Sequence, residues 1–173
     1  MRNKNGFTLL ELLIAATIVA ALSVVSTIYY RNSVAETHIQ AAKMRTEVLA
    51  EAVRRFRLDY GADKLTNGEF RRLVSNNHSC VPTTNGAVTS LITCDYVEND
   101  AGWSDAWIEY YVCNGARTAG TPCAKATTTE QKVVLACMRG RSTQGKLPSK
   151  YKNPYAYCVG MDGTKDIIEK WGN

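Results

Sequence analysis

Between Phe7 and Tyr60 the chain contains neither proline nor glycine. Those two residues interrupt helices most strongly, one by a missing N–H and a ring clash, the other by excess backbone freedom. The first helix-stop signal is Gly61. One helix of about 54 residues is therefore expected over 7–60, ~80 Å long at ~1.5 Å per residue. Any fold for this chain must accommodate that rod.

The two halves of the rod differ. Phe7 to Tyr30 is 24 residues with a single charged side chain, Glu11. At ~1.5 Å per residue such a segment exceeds the ~30 Å hydrocarbon core of a bilayer. Arg2 and Lys4 precede it, which favours a cytoplasmic N-terminus, and Tyr29, Tyr30 and Arg31 suit the far interface. A carboxylate inside a membrane segment costs about 2.5–3.5 kcal/mol at the helix centre. Something must offset that cost.

Past Arg31, apolar residues recur at Val34, Ile39, Ala42, Val48, Leu49, Ala52, Val53 and Phe56. This periodicity makes one apolar face, which predicts a domain packed against it. After Gly61, Thr66 and Glu69 have capping-box spacing ahead of Phe70, Leu73 and Val74, so a short helix is expected there. Four β-like runs follow at 87–94, 107–113, 132–138 and 155–159, separated by Gly, Pro and Asn. Strands gathered behind one long helix predict an α+β fold, with an antiparallel sheet on the helix's amphipathic half.

Six cysteines, Cys80, Cys94, Cys113, Cys123, Cys137 and Cys158, all lie beyond the apolar segment. None has C-x-x-C spacing, and His38 and His78 complete no ligand set. An even set beyond a membrane segment reads as disulfides in an oxidising compartment. Six allow fifteen pairings, and sequence does not choose among them. The working expectation is neighbours in order (Cys80–Cys94, Cys113–Cys123, Cys137–Cys158), because Cys113 and Cys123 bracket a Gly/Pro-containing turn.

The formal charge is +5, and removing Arg2 and Lys4 leaves +3. That excess is too mild to imply a nucleic-acid partner by itself. Arg54, Arg55 and Arg57 with Arg71 and Arg72 could line a DNA strip, but charges on a helix surface are ordinarily solvated or paired. A second basic run, Arg139, Arg141, Lys146, Lys150 and Lys152, reads as a loop. Trp103 and Trp107 could stack on sugars, yet a core under a sheet needs such residues too. No G-x-S-x-G, H-E-x-x-H or P-loop appears, so no catalytic role is expected.

Met1 to Leu22, "MRNKNG" followed by "FTLLELLIAATIVAAL", resembles the type III signal of type IV pilins and related pseudopilins. A secretory signal shares the basic tip, and "AALS" at 20–23 could pass for its cleavage site, but the core of such a signal rarely contains a glutamate. A plain anchor leaves Glu11 unexplained. The resemblance implies a membrane-embedded prepilin peptidase that cuts between Gly6 and Phe7 and methylates Phe7. Glu11 is then the fifth mature residue, where the family places its acid. Residues 1–6 become a leader, 7–30 a transmembrane and filament-core helix, 31–60 its amphipathic continuation, and 61–173 the head.

The implied fold is pilin-like, with a disulfide-stapled sheet domain. The implied partners are further copies in a helical filament, other pilins or pseudopilins, the peptidase, and an inner-membrane platform with its ATPase. The implied location is the bacterial cytoplasmic membrane before assembly, and the cell surface or periplasm afterwards. Glu11 would neutralise the amino terminus of the next subunit, or its own. Each buried charge offsets the other's desolvation, and such a pair fixes register.

Within this group, "FRLDYG" (56–61) and "NPYAYCVGMDGTKDIIEKWGN" (153–173) are similar to type II secretion pseudopilins, whose terminal loop binds calcium. Asp162 and Asp166 are the implied ligands, although calcium needs six to eight oxygens and the loop is short. No other cofactor is implied. Six cysteines and Ile28, near where a membrane-helix proline is common, pull instead toward a pilin. A rival from another class is a periplasmic binding protein using the helix as a tether.

Overall fold

The computed structural model of the chain describes residues 8–65, 67–70, 80, 91–115, 121–126, 133–141 and 156–168, less the side chains of 63, 125, 126 and 166–168. One helix, α1, runs from Leu9 to Tyr60 without a break. The chain divides into two compact units, Met1–Thr37 and His38–Asn173, and the division falls inside α1.

In the first unit the apolar residues of α1 face outward on all sides, from Leu9 and Leu10 to Val25 and Ile28. The hydroxyls among them turn back on the helix. Thr17 Oγ1 donates to the Ile14 carbonyl at 2.8 Å, Ser23 Oγ to that of Val19 at 2.8 Å and Thr27 Oγ1 to that of Ser23 at 2.8 Å. In an apolar solvent every polar group needs an internal partner, and i−3 or i−4 back-bonding supplies it.

In the second unit α1 carries a buried stripe at Ile39, Ala42, Thr46, Leu49, Val53 and Phe56. The 3,4 alternation keeps one face toward the sheet. Each large apolar side chain buried there contributes about 1.5–3 kcal/mol. Thr46, the one polar member, donates to the Ala42 carbonyl at 2.8 Å, so its hydroxyl is satisfied. Val48, expected in this face, is instead 57% exposed. It lies outside the 3,4 phase that the buried residues keep.

The sheet is a five-stranded antiparallel meander in chain order. Its strands are β1 (Gly68–Phe70), β2 (Ile108–Val112), β3 (Val134–Gly140), β4 (Ala156–Gly160) and β5 (Lys165–Ile168). Cross-strand register aligns Phe70 with Tyr110, Tyr110 with Met138, and Met138 with Tyr157. This row joins Leu49, Val53 and Phe56 of α1 in the main core. The alternate row, Glu69, Tyr111, Cys137 and Cys158 in register, lies on the other face by the period-two rule. There Tyr111, Cys113, Cys123, Val134, Cys137 and Cys158 form a second, smaller core.

Three expectations are corrected. Gly68–Phe70 is a strand, not the start of a capped helix. Pairing of Glu69 and Phe70 with Tyr111 and Tyr110 outweighs the local capping signal, while Leu73 and Val74 lie outside the described residues. Within the run 87–94, residues 91–93 form a helical turn. The Leu91 carbonyl accepts from the N–H groups of Tyr96 and Val97, and burial of Leu91, Ile92 and Val97 overrides strand propensity. The fifth strand, β5, is the third. Its signal was the turn pair Asp162-Gly163, where Gly163 takes φ 81°.

Candidate functional site

The start of α1 is built by two residues. The Thr8 backbone N–H and hydroxyl both donate to Glu11 Oε2, at 2.9 and 3.0 Å. The Glu11 N–H approaches Thr8 Oγ1 at 3.3 Å. This reciprocal arrangement is a capping box, which satisfies donors that a helix start otherwise leaves unpaired. The pattern Thr-x-x-Glu at 8–11 was available in the sequence as its signal. Read only as a membrane acid, Glu11 conceals Thr8 as its partner. Gly6 and Phe7 lie outside the described residues.

Below this cap, α1 is long and apolar enough to cross a membrane. Its exposed leucines, isoleucines and valines leave Glu11 as the one acid of the apolar stretch, held at the first turn.

The head is stapled three times, by Cys80–Cys94, Cys113–Cys123 and Cys137–Cys158. These are the pairs in chain order. Cys137 and Cys158 stand directly opposite one another on β3 and β4, the arrangement that brings antiparallel side chains closest. Cys113 Sγ lies 3.8 Å from Cys137 Sγ, so two cystines stack beside the short helix Pro122–Ala126.

The other singled-out residues are used structurally. Arg54 and Arg55 both pair with Glu51, at 2.8 and 3.2 Å. Arg54 also donates to the Met161 carbonyl, and Arg57 to that of Asn114. Arg71 and Arg72 lie outside the described residues. Arg139 donates to Glu109 and stacks on the Tyr111 ring, with Arg141 bridging Glu69 and Glu109. Burial pushes the Glu109 carboxyl upward, but hydrogen bonds from Arg139 and Tyr111 outweigh it and hold the group below the usual range. Lys146, Lys150 and Lys152 lie outside the described residues.

Trp103 is a core residue, edge-on to Phe70 and Tyr110, with its indole N–H on the Glu98 carbonyl. Trp107 stacks on His38, whose Nδ1 is 3.6 Å from Asp105. Asp162 Oδ1 closes the β4–β5 turn, accepting from the Thr164 N–H at 3.0 Å and its hydroxyl at 2.6 Å. Asp166 lies in β5, in register with Cys158. Among the described residues no three His, Cys, Asp or Glu side chains gather as a metal site.

Residues 1–27 match the family model described as the prokaryotic N-terminal methylation motif. The chain therefore begins with a type IV pilin-like prepilin signal, and the long helix with a disulfide-linked antiparallel sheet is a pilin-like α+β architecture. No curated relative and no solved structure matches the chain. The signal and the apolar helix fit a membrane-anchored precursor of the type IV pilin or pseudopilin kind.

Proposed function

We propose that this chain is a structural subunit of a type IV pilus-like filament. It is cut between Gly6 and Phe7, methylated on Phe7, and assembled through α1. The observation that carries the reading is one acid, Glu11, at the first turn of α1, whose stretch up to Tyr30 is otherwise uncharged and follows a methylation-type leader. Thr8, which holds that carboxylate, is the residue next to Phe7 in the sequence. In a water-free filament core that carboxylate offsets the buried amine of a neighbouring subunit, and the pair sets axial register. Movement through the membrane platform draws on a separate ATPase, since no nucleotide-binding motif is visible.

A secretion pseudopilus shares this front end. Three disulfides in a head of this size favour service outside the cell, where a cross-linked domain resists unfolding. The test is complementation of a deletion strain with Glu11→Ala. Filaments sheared from the cells should disappear while the protein remains in the membrane. A tethered periplasmic protein would show normal function with that substitution.

A further inference from the structure

The sulfurs of two cystines follow one another through the second core. Cys123 is bonded to Cys113, Cys113 Sγ stands 3.8 Å from Cys137 Sγ, and Cys137 is bonded to Cys158. Strand register explains the sequence. The Cys113 N–H donates to the Leu135 carbonyl at 2.8 Å, so Cys113 lies across from Leu135 and diagonal to Cys137, on one face. A new bond between them would close the gap to about 2.05 Å. Cys113 follows Val112, the last residue of β2, so that movement falls on a strand end. Cys113, Cys123 and Cys137 are 0% exposed and Cys158 is 1% exposed. An external thiol therefore meets none of them in the folded head, whereas a thiol at Cys113 meets a cystine at contact distance. Exchange depends on such access of the attacking sulfur. The third cystine stands apart, since Cys94 packs against the main core.

We propose that these sulfurs form a thiol–disulfide exchange site, in which Cys113 attacks Cys137 for as long as Cys123 has not bonded it. The Cys113 thiol gives its proton to water, and the thiolate's electron pair forms the Cys113–Cys137 bond. The Cys137–Cys158 bond breaks, its pair leaves on Cys158, and that sulfur takes up a proton as a thiol. One disulfide and one thiol stand on each side of the step, so no oxidant or reductant is consumed. The bridge thus moves between two positions, β3 to β4 or the end of β2 to β3. Cys123 ends the exchange. An external disulfide takes two electrons from the Cys113 and Cys123 thiols, is itself reduced to two thiols, and leaves no nucleophile beside Cys137. Cys123, carried by the short helix Pro122–Ala126, is the lock that holds Cys137 on Cys158. This chemistry belongs to the head and does not depend on the filament reading.

The test is disulfide mapping of the full chain carrying Cys123→Ser, with Cys80→Ser as the comparison. Each protein is denatured in acid, where thiolates are scarce, labelled with a maleimide, and digested for peptide mass measurement. In Cys123→Ser the label should divide between Cys113 and Cys158, with Cys113–Cys137 and Cys137–Cys158 peptides both present. In Cys80→Ser it should stay on Cys94, so that Cys158 carries less label by about tenfold or more. Label on Cys113 alone in Cys123→Ser would overturn the proposal. Label spread over all cysteines in both variants would overturn it too, because the scrambling would then come from unfolding. If Cys123→Ser does not accumulate, the unaltered protein gives the answer after brief treatment with limiting water-soluble phosphine. It should yield a species labelled on Cys123 and Cys158 and bridged between Cys113 and Cys137. Label appearing only on both members of a native pair would overturn the proposal.

Discussion

Glu11 accepts two hydrogen bonds from one residue, the N–H and the hydroxyl of Thr8, before any neighbour is present. The acid therefore has a local role, capping its own helix, beside the intermolecular role proposed for it. The two roles differ in what they demand. A capping box accepts glutamine in place of glutamate, because only an acceptor is needed. Neutralising a buried amine demands the charge.

Glu11→Gln separates these roles. It should preserve the helix start and membrane insertion, yet lower recovered filament about as much as Glu11→Ala. The measurement is sheared-filament yield from matched strains, with total subunit quantified by immunoblot. Wild-type yield from the glutamine variant would assign Glu11 to capping alone.

The cystines should be complete in the native protein. Alkylation of denatured, unreduced protein followed by mass measurement should add no label to any of the six cysteines. Replacing Cys137 and Cys158 together by serine removes a cross-strand staple within the second core. Loss of such a native bridge costs about 2–4 kcal/mol. Thermal melting should show a correspondingly lower midpoint with the same secondary structure, and an unchanged midpoint would contradict the staple's role.

Much of this was legible because it rests on period and spacing. The unbroken rod followed from absent Pro and Gly, and its buried stripe from 3,4 spacing, with Val48 the exception. Strands β2, β3 and β4 announced themselves through β-branched and aromatic runs. What was hidden depended on partners. Phe70 is a strand residue only because Tyr110 lies beside it, and Leu91 is helical because the core buries it. Thr8 was hidden differently: its motif was present, but the membrane reading of Glu11 occupied the same residues.

The core of the head rests on α1. Phe56→Ala empties a fully buried ring site between helix and sheet and should cost about 3–5 kcal/mol. Thr46→Val should be close to neutral. It removes a hydroxyl together with its hydrogen bond to Ala42 O and leaves no stranded donor. Chemical denaturation of both variants checks the contrast. A large loss from Thr46→Val would mean the hydroxyl does more than satisfy itself.

Acid should weaken the head through two carboxylates. Hydrogen bonds from Lys165 first, and then Tyr157, hold Glu47 below its ordinary value of 4.5. Glu109 is likewise lowered, as Arg139 and Tyr111 overcome burial. A carboxyl depressed on folding gives stability that is present above its unfolded value and lost as pH falls through the folded one. Stability should therefore be flat above about pH 5 and decline below the ordinary value of 4.5. Denaturant midpoints measured across that range should fall less steeply for Glu47→Gln and for Glu109→Gln.

The central claim is processing followed by assembly, and one measurement addresses it directly: the intact mass and N-terminal sequence of the protein purified from its host. The account predicts a chain that lacks residues 1–6 and begins with methylated Phe7. A chain beginning at Met1 in assembled material, or one starting after Ser23 in the medium, would contradict it.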